Sequence, residues 1–142
     1  MKRIRFIAVL VLLIGFALSC EVEPPIPPCE RDNVGTVTVE NRTGRNIWTD
    51  VTWGNVVENY EKLLYVGGSY QYNNIPASTR LEIWISLDGY DWYWYQERVI
   101  TILPCEDMTF TWKSAYRKST ACPFVLVLPN GEEIIPILKV KE

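Results

Sequence analysis

Four cysteines, two acidic pairs and one aromatic run are the residues of this 142-residue chain whose types and spacing bear on chemistry. Cys20, Cys29, Cys105 and Cys122 are too scattered for the paired spacing of a metal site, and the chain contains no histidine. The missing imidazole removes the usual general base, the Ser-His and Cys-His nucleophile pairs and the commonest zinc ligand. Asp88 and Asp91 bracket one turn, and Glu106 and Asp107 sit in another. Carboxylates in turns commonly accept backbone N–H groups, and neither pair has the dense oxygen run that calcium needs. No catalytic residue, metal or cofactor is therefore expected. A hydrolase built on paired carboxylates is the distant alternative to a non-enzymatic protein.

The run Tyr90-Asp91-Trp92-Tyr93-Trp94-Tyr95 is the most unusual feature. On a strand, Trp92 and Trp94 point one way and Tyr93 and Tyr95 the other, and Trp84 on the preceding strand joins one of these rows. Packed aromatics are the ordinary use of such a run. The functional use is a surface of Trp84, Tyr90, Asp91, Trp92 and Trp94 that docks an envelope protein. The alternative is stacking of a glycan on the tryptophans, with Asp91, Gln96 and Glu97 supplying polar groups.

The first twenty residues carry a different chemistry. Lys2, Arg3 and Arg5 precede the uncharged run Phe6 to Leu18. About 13 apolar residues suit the core of a signal peptide and fall short of the roughly 20 that a membrane span needs. The run ends Ala17-Leu18-Ser19-Cys20, which resembles the lipobox of bacterial lipoproteins, although Ala17 and Leu18 stand in the reverse of the commonest order. The resemblance covers these twenty residues alone. It implies cleavage before Cys20, a lipid on that cysteine and attachment to the cell envelope. Glu21 and Glu23 resemble the acidic sorting signal of some lipoproteins and favour the outer membrane, in either leaflet.

Removing residues 1–19 leaves 123 residues, enough for one domain. All 17 acidic residues but only 11 of the 14 basic ones lie in that part, giving a charge of −6. An acidic surface without a Lys/Arg cluster speaks against nucleic-acid binding. Four prolines among residues 24–28 make a semi-rigid spacer that is expected to hold the domain, residues 30–142, off the bilayer. Residues 20–29 thus form the lipidated cysteine and its tether. An oxidising compartment favours one disulfide and one leftover thiol among Cys29, Cys105 and Cys122. Cys29–Cys105 is the favoured pair, because both precede strands and can meet at one end of a sandwich. Cys122, with no histidine to activate it, is expected to be a buried structural thiol.

Period-two patterning dominates the domain. Thr36–Glu40 alternates, and Ile47–Trp53 alternates with Ile47, Val51 and Trp53 inward. Residues 54–62 read as irregular or briefly helical. Leu63–Val66 and Ser69–Tyr72 flank Gly67-Gly68 as short strands. Arg80–Leu87 directs Leu81, Ile83, Ile85 and Leu87 inward, and 92–95 with 99–102 form its hairpin partner. Met108–Trp112 is a further strand, and Phe124–Leu128 pairs with Glu133–Val140 about Asn130-Gly131. Pro136 places that last strand on an edge. The pattern predicts an all-β antiparallel sandwich, immunoglobulin-like or transthyretin-like.

Overall fold

The computed structural model describes residues 24–54, 61–87, 92–96, 99–115 and 123–140. Cys20, Glu21, Glu23, Asp88, Tyr90, Asp91, Glu97 and Cys122, on which expectations were placed, lie outside these residues. One helical turn, α1 (Pro28–Arg31), leads into β1 (Val34–Arg42), β2 (Ile47–Trp53), β3 (Lys62–Leu64), β4 (Ser69–Pro76) and β5 (Arg80–Ser86). There follow β6 (Trp92–Tyr95), β7 (Ile100–Thr101), β8 (Asp107–Ser114), β9 (Phe124–Val127), β10 (Glu133–Ile134) and β11 (Ile137–Val140).

The strands form two sheets, in the orders β10-β9-β8-β1-β4 and β11-β6-β5-β2-β3, with β7 also pairing β5. The expected all-β sandwich is present. Among the described residues every pairing is antiparallel except β1 with β8, which is parallel. An immunoglobulin arrangement keeps its first two strands in one sheet. Here β1 and β2 lie in opposite sheets, so the transthyretin-like alternative describes the order better.

Alternation supplies the core. Val37 and Val39 of β1, Ile47 and Val51 of β2, Leu81, Ile83 and Ile85 of β5, and Phe110 and Trp112 of β8 are fully buried. The one polar side-chain group among them, the Trp112 indole N–H, is also satisfied. Trp112 donates its indole N–H to Thr49 Oγ1 (3.3 Å), and that hydroxyl donates to the Trp84 carbonyl (2.7 Å). Thr49 therefore links the sheets through a polar contact inside an apolar core, where an unpaired N–H would be costly.

One expectation is revised. Residues 133–140 are two strands in opposite sheets, β10 against β9 and β11 against β6, rather than one hairpin arm. Proline has no N–H for the ladder, so pairing with β9 ends before buried Pro136 and the chain crosses to the other sheet. Both pieces remain edge strands, as the proline requires. Likewise β3 and β4, either side of Gly67-Gly68, belong to different sheets.

Candidate functional site

The outward positions of the β11-β6-β5-β2-β3 sheet form the candidate site. On β2, inward Ile47, Thr49 and Val51 alternate with Trp48, Asp50 and Thr52. Register extends these outward positions across the sheet. Trp48 lies opposite Leu63 on β3 and Ser86 on β5. Asp50 lies opposite Trp84, Trp84 opposite Tyr95, and Tyr95 opposite Ile137. Residues opposite one another across a ladder share a face, so Leu63, Trp48, Trp84, Tyr95 and Ile137 make an apolar band from one sheet edge to the other. Leu63 and Ile137 at its ends are 38% and 40% exposed, while Trp48, Trp84 and Tyr95 are half-buried.

Polar groups hold this band in place. Trp84 donates its indole N–H to Thr52 Oγ1 (3.2 Å), across the ladder from Glu82. Asp50 is buried and accepts the Val51 N–H at 2.8 Å. The negative charge of Asp50, after burial itself, helps push the Tyr72 phenol far above its ordinary value, with Tyr70 adding to it.

The other sheet presents a different surface. Its outward positions include Thr36, Thr38 and Glu40 on β1, Gln71 on β4, and Thr109, Thr111 and Lys113 on β8. Val125 and Val127 on β9, and Val34 on β1 with Pro76 opposite it on β4, are apolar among them. One face is thus threonine-rich and the other aromatic.

The sequence-predicted surface is divided by the structure. Trp84 is in the band, aligned with Tyr95 rather than with a tryptophan. Trp94 pairs with Ile85 and Leu138, and Trp92 with Val140. Gln96, proposed as a polar group for a glycan, is 1% exposed and serves the backbone instead. Its amide Nε2 donates to the Leu81 carbonyl (2.8 Å), and its Oε1 accepts the Ile83 N–H. It fills the gap in the ladder between β6 and β7, both of which pair with β5. Trp48 and Tyr95 were missed as site residues. The alternation that sends Ile47 and Val51 inward already sends Trp48 outward, but its neighbours on that face follow only from strand register.

The disulfide end offers a second concavity. Cys29 and Cys105 are bonded, as expected, with Cα atoms 5.0 Å apart. Beside them lies a cleft of about 350 Å³ lined by Asp32, Asn73, Asn74 and Asp107 among others. Asp32 is bonded to Arg31 (2.9 Å), whose guanidinium holds the carboxyl below its ordinary range. Glu106 accepts the Leu103 N–H at 2.7 Å, the capping use anticipated for turn carboxylates. Among the described residues no three His, Cys, Asp or Glu side chains are grouped to hold a metal ion. No described helix is long and apolar enough to cross a membrane. Comparison of the chain with protein-family models, curated proteins and solved structures finds no match.

Proposed function

We propose that the protein is a lipid-anchored, non-enzymatic module of the cell envelope that docks another envelope protein on the aromatic face of its β11-β6-β5-β2-β3 sheet. The contrast between the two outward faces carries the docking assignment. A sheet with one face in water ordinarily places polar residues there, as the threonine-rich sheet does. The opposite face instead runs Leu63, Trp48, Trp84, Tyr95 and Ile137 from edge to edge. Apolar patches of this kind mark interaction surfaces, and half-buried tryptophans are common anchors in them. The anchor rests on Ser19-Cys20 and the proline spacer behind it, with Glu21 and Glu23 favouring the outer membrane.

A glycan is the second reading, supported by the half-buried Glu82 carboxylate, which lies beside Trp84 on the same face. Leu63→Asp combined with Ile137→Asp puts charges at the two ends of the band without touching the core. If the face docks a protein, the double variant folds and loses the partner. A polysaccharide that shifts tryptophan fluorescence saturably, and fails to do so after Trp84→Ala, replaces the protein partner by a glycan. For the anchor, an alkyne-tagged fatty acid fed to cells is expected to label the intact protein and not Cys20→Ala. An unlabelled intact protein overturns the anchor.

A further inference from the structure

The two ends of the sandwich differ in what they carry and in how the spacer reaches them. The end with the disulfide gathers α1, the turn after β4 and the turn before β8. Ala77 N–H donates to the Asn33 carbonyl, Ser78 N–H to that of Ile102, and Cys105 N–H to that of Val34. A Cβ on Gly35 would lie 2.5 Å from Ile102 Cδ1 and 2.9 Å from the Glu106 carbonyl, so this end is tightly closed. Leu103, in the turn before β8, and Val99, just ahead of β7 on the flank, stay in the open all the same. Val99 is 61% and Leu103 62% exposed. Beside Val99 an apolar groove of about 250 Å³ runs down to Phe110, lined also by Ile100, Met108, Leu128 and Pro129.

We infer that this end of the sandwich rests on the phospholipid surface, the spacer lying along that surface rather than holding the domain off it as its prolines alone suggest, with Leu103 in contact with lipid and Val99 and its groove on the flank just above. The inference rests on the lipid-anchor reading of Cys20. Pro28 follows Cys20 by eight positions. At about 3.1 Å per residue an extended proline spacer reaches about 25 Å, which is an upper limit on the gap beneath the domain. Within the spacer Ile26 is itself apolar and 65% exposed, suited to lying at a lipid interface rather than standing in water. The spacer then enters the body at α1 and is fixed there by the Cys29–Cys105 bond, so it presents this end to the bilayer and no other. The opposite end, where the Gly67 N–H donates to Asn41 and the Asn41 N–H to Gly68, lies one length of β1 away. Nine residues at about 3.3 Å each put it roughly 30 Å farther out. Exposed Val66 on that end is therefore beyond reach of lipid, although it is as apolar as Val99. In this pose the aromatic face stands upright, clear of the headgroups and open to a partner from the side.

The test uses the full-length, lipidated protein in vesicles of phosphatidylethanolamine and phosphatidylglycerol that contain an alkyne-tagged phospholipid. A benzophenone amino acid replaces Leu103 in one sample and Val66 in another, and flotation with the vesicles is read alongside. The expected result is several-fold more lipid adduct from position 103 than from position 66. Flotation with equal labelling, or with more from position 66, overturns the pose and leaves the anchor standing. Failure to float overturns the anchor reading and the pose with it.

Discussion

Cys29 and Cys105 meet at the end of the sandwich from which β1 and β8 both set out, Cys29 just ahead of Val34 and Cys105 just ahead of Asp107. Two strands that leave one covalently closed end side by side run the same way, and β1 with β8 is the parallel pair. The bond closes a 76-residue loop and holds the spacer against the body. In the chain-entropy model such a loop contributes about 4 kcal/mol. Urea unfolding with and without reductant measures it. Loss of a comparable amount, reproduced by Cys105→Ser, is the expected outcome, and unchanged stability contradicts it.

Gln96 acts as a replacement for strand backbone, so its removal leaves the Ile83 N–H and the Leu81 carbonyl unpaired in the interior. Gln96→Ala is expected to cost about 2–6 kcal/mol, given a penalty of about 1–3 kcal/mol for each of the two unsatisfied groups. Gln96→Glu keeps the acceptor for Ile83 but loses the donor to Leu81 and buries a charge. Its destabilisation at neutral pH should ease on acidification, because a protonated carboxyl again donates. Chemical denaturation of both variants across pH reads the difference; an unaffected Gln96→Ala refutes the structural role.

Tyr72 makes alkaline stability depend on one buried phenol. Burial first, then the charge of Asp50 and Tyr70, raise its pKa in the folded state. The folded protein therefore holds this proton more tightly than the unfolded chain does. The stabilisation is present in full below the unfolded value of about 10 and is lost progressively as pH rises above it. Tyr72→Phe is expected to flatten the fall in stability above that pH. The phenol donates to the Thr49 carbonyl only at 3.5 Å, so the substitution costs little near neutrality. A profile as steep in Tyr72→Phe as in the parent assigns alkaline unfolding to other groups.

Much of the fold is legible in the sequence because side-chain alternation reports directly on which face of a strand is buried. The inward sets Ile47, Val51 and Leu81, Ile83, Ile85 follow from period two, and the disulfide follows from where its cysteines sit relative to strands. Sheet membership is less accessible. Nothing local distinguishes a Gly67-Gly68 turn that closes a hairpin from one that passes between sheets, and Pro136 marks an edge without saying that the chain changes sheet there. The site was half legible for the same reason. Trp84 stands out by alternation, whereas the two offset rows that set it with Tyr95 and Ile137 beside Trp48 and Leu63 are a property of register between strands. Gln96 reads in sequence as a polar group near aromatics, and only the break between β6 and β7 reveals that it bonds to backbone.

Docking on the aromatic face is distinguished most directly from docking on the threonine face by site-specific cross-linking. Benzophenone amino acids placed singly at Leu63, Trp48 and Ile137, and on the other sheet at Thr38 and Thr109, make the distinction in living cells under photo-cross-linking. The same discrete protein adduct is expected from the first three positions and none from Thr38 or Thr109. Adducts from both faces alike, or from the threonine face alone, contradict docking on the aromatic face.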